Sequence, residues 1–269
     1  MKIEELNHEL GFCEDSRVYI RFYLYMYKER IKVLRELFWR KEITLADIKD
    51  PALRLSVILL EVLDRYDEYI AKGLYHSEVI DTFKAVKEKA MIHKEKEGYI
   101  GIYLEDLPYL RHILDGTIFR FGPLEYTLTK MVFLDKRIMD KCFITFDHTI
   151  FPTLKNNTPI VLLRVRDHRL LERKRVEDSL HKARYFFRGL QISGLSFMVL
   201  YSWTLFEPLV ERLPLDHELR SFQKHFTLIG SCADDTKTKF DLSRDTSIIK
   251  DIYLSDNKVS GVACGVIRF

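Results

Sequence analysis

Cysteine is scarce in this sequence and follows no pattern: Cys13, Cys142, Cys232 and Cys264 form no CxxC and share no spacing with histidine. That excludes zinc sites of the finger or ribbon type, implies no metal, and points to reduced thiols in a cytoplasmic protein. Long apolar runs are missing as well. The longest clusters, such as 56–63, are too short to span a bilayer, and the opening Met-Lys-Ile-Glu-Glu has no apolar core of a signal peptide. No membrane partner is therefore expected. Charge of one sign is not in excess: 43 Lys and Arg stand against 40 Asp and Glu, so no nucleic-acid partner is implied. The sequence carries no internal repeat and no low-complexity tract.

What is there suits a packed globular protein. Of the 269 residues, 47% are hydrophobic and 31% charged, enough apolar material for one large domain or two ordinary ones. The charge is unevenly spread. Residues 1–114 hold 19 basic and 21 acidic side chains, whereas 115–269 hold 24 and 19, so an anionic ligand is favoured by the second part.

Residues 1–115 read as a helical domain. Asp15 or Ser16 is positioned to cap a long helix through Arg40, with Phe22, Tyr23, Met26, Tyr27, Ile31, Leu34 and Phe38 at helical spacing. Core packing is the expectation for its aromatic row (Phe22, Tyr23, Tyr25, Tyr27, Phe38, Trp39), with an acceptor groove between the two parts as the alternative. Thr44 to Asp47 has the form of a capping box, and Asp50 before Pro51 is a cap followed by proline at the first helical position, with Gly73 as the stop. Ser77 opens a further helix with Val79, Ile80, Phe83, Val86 and Ala90 inward, and Leu104–Leu114 forms one more.

The pattern changes after Asp115-Gly116. Two strands flank Gly122-Pro123, with Leu124, Tyr126 and Leu128 on one face and Glu125, Thr127 and Thr129 on the other. A strand is expected near Cys142 to Phe146. At the centre stands a βαβ unit. It comprises the β-branched run Pro159–Arg166, a basic loop, a helix from Val176 to a stop at Gly189, and the apolar strand Leu195–Tyr201. A ligand of such a unit lies beyond the carboxyl ends of the strands and at the helix N-terminus. Short helices over 206–213 and 216–224, a strand over 225–229, a helix capped by Asp245 or Thr246, and a last strand over 259–269 complete the chain. The fold class is α+β or α/β, a helical region followed by a mixed sheet flanked by helices.

Five pieces, in order and at fitting separations from about Gly73 onward, carry a family likeness. They are Ile118–Tyr126, Asp178–Phe187, Tyr201-Ser-Trp203 with Pro208, Phe222–Phe226 and Asp245-Thr-Ser247. Through them the chain resembles bacterial acyltransferase-domain proteins, which join an N-terminal helical acyltransferase segment to a GNAT-like C-terminal domain, here 116–269. The resemblance implies a mixed sheet whose two central parallel strands splay apart, with the pantetheine of acetyl-CoA or another acyl-CoA in the gap. One departure stands out. The glycines that hold the pyrophosphate in ordinary GNAT proteins are missing from 164–175, where six of twelve residues are Lys or Arg instead.

On that likeness, Arg164, Arg166, Arg169, Arg173, Lys174 and Arg175 are the candidates for the coenzyme A phosphates. Guanidinium groups make forked, charge-assisted bonds to phosphate, and the helix adds its positive end; Ser179 joins this set. Tyr201 or Ser202 is the candidate acid for the departing thiolate, and Glu125 a candidate base, with His148, Glu207 and His217 as weaker alternatives. Each has a plain structural reading beside it: a solvated loop for the basic residues, strand-end packing for Tyr201. The expected activity is acyl-CoA-dependent transfer to a small-molecule or peptide amine, or to a hydroxyl. The rival is a non-catalytic binding or regulatory module that keeps the fold.

Overall fold

The computed structural model describes residues 1–133, 144–233, 236–243, 245 and 247–269. They divide into two compact units, Met1–Arg120 and Phe121–Phe269.

The first unit is helical: α1 (Ile3–Glu9), α2 (Glu14–Met26), α3 (Lys28–Trp39), α4 (Pro51–Ala71), α5 (His76–Glu97) and α6 (Leu107–Leu114). Its organising element is α4, which buries Leu53, Leu55, Val57, Ile58, Leu59 and Val62. Each such side chain contributes about 1.5–3 kcal/mol when fully removed from water. The helix starts where Asp50 accepts from the amides of Ala52 (2.8 Å) and Leu53 (3.1 Å). It carries a buried cation, Arg54, whose guanidinium is answered by the carbonyls of Leu45, Ile48 and Ile102. At Gly101 the chain passes so near Pro51 that a Cβ would meet its ring at 2.6 Å.

Three expectations for α2 and α3 fail. The long helix breaks at Tyr27, whose φ of −110° and ψ of 21° leave the helical region, and Cys13 rather than Asp15 or Ser16 occupies the N-cap of α2. The aromatic row is not core either: Phe22, Tyr25 and Trp39 are exposed. Tyr19, Tyr23 and Tyr27 pack along the helix surface on one another at 5.0 Å between centroids. Trp39 lies against the Arg35 guanidinium and donates to Glu61 at 2.9 Å.

The strands are β1 (Ile118–Phe121), β2 (Leu124–Lys130), β3 (Thr145–Phe146), β4 (Pro159–Val165), β5 (Phe197–Ser202), β6 (Thr227–Ala233) and β7 (Gly261–Arg268). They form one sheet in the order β1-β2-β4-β5-β7-β6-β3. Strands β4 and β5 pair parallel, while β2–β4, β5–β7, β6–β7 and β3–β6 are antiparallel. The expected strand near Cys142 is the short β3; Cys142 itself lies outside the described residues. The crossover between β4 and β5 is α7 (Arg173–Gly189), followed later by α8 (Glu207–Val210), α9 (Glu218–Gln223), α10 (Thr236–Ser243) and α11 (Ile248–Ser255). Helix α7 ends at Gly189 as expected, with Leu190 as its C-cap and Gln191 in the left-handed region at φ 50°. Helix α11 is capped by Ser247, not by Asp245.

Period two along β4 and β5 buries both faces of the sheet. One face packs on α7, where the Tyr126 and Ser179 hydroxyls meet at 2.8 Å. The other face carries Ile160, Phe197, Val199, Cys264 and Val266 beneath Met131, Phe133 and Leu154. The glycines of β7 are packing positions: a Cβ on Gly265 would meet Leu205 at 2.6 Å and Phe226 at 2.8 Å. Cys13 and Cys264 are free thiols, whereas Cys232 is disulfide-bonded, which corrects the expectation of reduced thiols throughout.

Candidate active site

The parallel ladder is short. Strands β4 and β5 pair at Val161↔Met198, Leu162↔Val199 and Leu163↔Leu200, then no longer pair with each other. Both strands nevertheless run on. Strand β4 continues through Arg164 and Val165 against Glu125 and Leu124 of β2, and β5 continues through Tyr201 and Ser202 against Cys264 and Ala263 of β7. Each strand keeps its outer partner and drops the inner one, so the sheet opens as a wedge at the carboxyl ends.

Over that wedge lies a cavity of about 780 Å³. Strand β4 and the loop after it supply Arg164, Arg166, Asp167, His168 and Arg169; β5 and its continuation supply Tyr201 to Thr204. Lys237, Phe240 and Asp241 of α10, together with Asp245, close the far side. The loop takes its shape from Asp167, whose side chain accepts from the Arg169 amide at 2.9 Å and forks onto its guanidinium. That contact, chiefly the hydrogen bond from Arg169, holds the Asp167 carboxyl below the usual carboxylate range. Arg166 is anchored at the lip by donating to the carbonyl of Gly122 at 2.8 Å.

Of the residues singled out in the sequence, the fold thus gathers Arg164, Arg166, Arg169, Tyr201 and Ser202 around one cavity. Glu125 is not in its lining. It is buried behind Arg164, 3.9 Å from that guanidinium, although its strand position suggests a polar outer face. Arg173, Lys174 and Arg175 are exposed on the first turn of α7, outside the lining, with Arg173 on Glu177 at 2.8 Å. Ser179 is buried between α7 and the sheet, bonded to Tyr126 and the Phe121 carbonyl. The Tyr201 hydroxyl donates to the Val132 carbonyl at 3.0 Å, and Ser202 accepts from the Thr204 amide at 3.1 Å as the cap of the turn that follows. Among the weaker candidates, His217 caps α9, Glu207 opens α8 and His148 meets Phe133 edge-to-face at 4.7 Å.

Sequence reasoning passes over three lining residues. His168 Nε2 lies 2.8 Å from Asp245 Oδ2, and the Trp203 ring stands edge-on to the imidazole at 5.1 Å. Burial alone would raise the Asp245 carboxyl, but hydrogen bonds from Ser247 and the charges of His168 and Arg169 outweigh it and hold the group below its ordinary range. The pair spans 77 positions, so no local spacing betrays it. The usable signal is a histidine in the loop just past the carboxyl end of a parallel strand. Among the described residues, no group of three or more metal-ligating side chains comes together, and no helix is long and apolar enough to cross a membrane.

The family model described as GNAT-like C-terminal domain matches residues 118–266, more than half of the chain. No curated protein sequence matches significantly. Among solved structures, an acyltransferase in complex with decanoyl-CoA and teicoplanin is similar at TM-score 0.62 and 18% identity, covering 99% of this chain and 87% of that one. A second, with CoA and 10C-teicoplanin, gives 0.64 and 17% over the same shares. A third, with decanoyl-CoA, gives 0.55 and 17% and covers both chains completely. At such identities the likeness is one of fold.

Proposed function

The chain belongs to the GNAT-like C-terminal domain family, and we propose that it transfers an acyl group from a coenzyme A thioester to an amine, with a hydroxyl as the second acceptor class. The observation that carries this reading is the wedge: two parallel strands that stop pairing after Leu163 and Leu200 above a cavity rimmed by Arg164, Arg166 and Arg169. A pantetheine arm is a chain of amides, and strand backbones that have given up each other as partners suit it as a temporary extra strand. The structural neighbours are described with decanoyl-CoA, CoA and teicoplanin, which supports an acyl-CoA donor and a small-molecule amine acceptor.

The chemistry divides among the chain's own residues. Arg166 and Arg169 take the phosphates by forked, charge-assisted bonds in place of the glycine amides, with Arg173, Lys174 and Arg175 meeting the outer phosphates. Glu125 holds Arg164 at the cavity mouth and acts as a positioning residue. Tyr201, at the tip of β5, is the group that returns a proton to the departing sulfur, exchanging Val132 for the thiolate; Ser202 serves the turn. The catalytic domain is 116–269.

Calorimetric titration with coenzyme A tests this. Arg166→Ala with Arg169→Ala weakens binding by about tenfold or more and flattens its salt dependence. Absence of binding by the wild-type chain at millimolar coenzyme A would leave the module without transferase activity as the reading.

A further inference from the structure

We propose that His168, set by Asp245, is the base that takes the proton from the acceptor amine; this rests on the transferase reading above. No local spacing ties His168 to Asp245, but the geometry does. Asp167 turns the chain directly after β4, which carries the His168 imidazole back into the cavity between the strand ends. Its Nε2 is buried 2.8 Å from Asp245 Oδ2, without an in-line hydrogen bond. Asp245 has a side chain only 6% exposed and is itself fixed by the Ser247 amide at 2.7 Å and by the Ser247 hydroxyl. The Trp203 ring stands edge-on beside the imidazole at 5.1 Å. This is the arrangement of a base oriented by a third group, seated where the acyl carbon would lie.

With Nε2 turned to the carboxylate, Nδ1 is the nitrogen left for the acceptor. Asp167 Oδ1 at 4.0 Å stands ready to stabilise the imidazolium. The charged groups around the ring are Asp167 and Arg169 on its own loop, Asp245 before α11, His217 at the start of α9, and Lys237 and Asp241 on α10. In the step itself, the amine lone pair forms the C–N bond at the thioester carbonyl and Nδ1 accepts the amine proton. The tetrahedral adduct then breaks its C–S bond and the sulfur leaves as thiol. One proton lost by nitrogen is balanced by one gained by sulfur, with Tyr201 supplying it and being refilled from His168.

Bromoacetyl-CoA tests the assignment without a known acceptor, because it presents an electrophilic carbon where the acyl group sits. An imidazole nitrogen displaces bromide from it and becomes alkylated. In the full-length wild-type chain, peptide mass mapping is expected to find one label, on His168, prevented by excess coenzyme A. Asp245→Asn should slow that labelling by about tenfold, and His168→Asn should abolish it, both with unchanged coenzyme A affinity. A purely structural His168–Asp245 tie would not link labelling rate to Asp245 in this way. A coenzyme-protected label on another residue, or a rate in Asp245→Asn equal to wild type, overturns the base assignment alone. Failure of the wild-type chain to bind coenzyme A overturns the transferase reading and this inference with it.

Discussion

At the scale of single residues, burial and hydrogen bonding set what each group can do. Tyr201 is held by the Val132 carbonyl and leans on Phe146 with 6.4 Å between ring centres, so Tyr201→Phe keeps its packing and loses one hydrogen bond. If it is the acid, that variant lowers kcat by about a hundredfold with coenzyme A affinity unchanged; an unchanged kcat would return Tyr201 to strand-end packing. Asp245 and Asp167 both sit below their ordinary value of 3.8. A folded-state pKa lower than the unfolded one means that stability is present above the unfolded value and lost as pH falls through the folded one. Thermal unfolding should therefore show Tm falling as pH drops below about 4, with a shallower fall in Asp245→Asn. The buried Cys264 thiol, pushed up to about 12 chiefly by desolvation, should resist a thiol reagent at neutral pH in the native state. Cys13, lowered by hydrogen bonds with Ser16, should react first.

Among the elements, α7 and β7 carry opposite lessons. The first turn of α7 holds Arg173, Lys174 and Arg175 and no acidic residue, which opposes the helix dipole. Local rules are broken most often at functional sites, and on the proposed function this turn meets the coenzyme phosphates. Lys174→Glu with Arg175→Glu should raise the Tm of the ligand-free chain by about 1–3 °C while weakening coenzyme A binding by about tenfold; a loss of both would argue against the compromise. In β7, Gly265 admits Leu205 and Phe226, so Gly265→Ala should destabilise by about 1–3 kcal/mol, read as a fall in Tm. The β-branched run of β4 and the Asp50-Pro51 start of α4 are legible from local chemistry, because period and capping act over a few residues. The division of α2 from α3 at Tyr27 is not, since no glycine or proline marks it and helical spacing continues through it. Helix α10 escapes for another reason: Asp234 and Asp235 precede its start in the sequence, but its apolar residues show little helical periodicity.

For the molecule as a whole, the site was half visible. Arg164, Arg166, Arg169, Tyr201 and Ser202 follow from the rule that ligands lie beyond the carboxyl ends of parallel strands, and they line the cavity together. Glu125, read from the polar face of an early strand, and Ser179 and the first turn of α7, read from the helix after β4, fall outside that lining, because side-chain direction is settled by register and helix phase. The His168–Asp245 pair is a long-range product of the fold, visible only once the loop after β4 and the segment before α11 are brought together. On the proposed function, what unites these parts is a thioester bound between Val165 and Tyr201. The measurement that tests this most directly is a crystal structure with a non-reactive thioether analogue of acyl-CoA. The account predicts pantetheine density between the ends of β4 and β5, phosphates on Arg166 and Arg169, and the acyl carbon within reach of His168. Density elsewhere on the surface, with the wedge closed or filled by side chains, would contradict it.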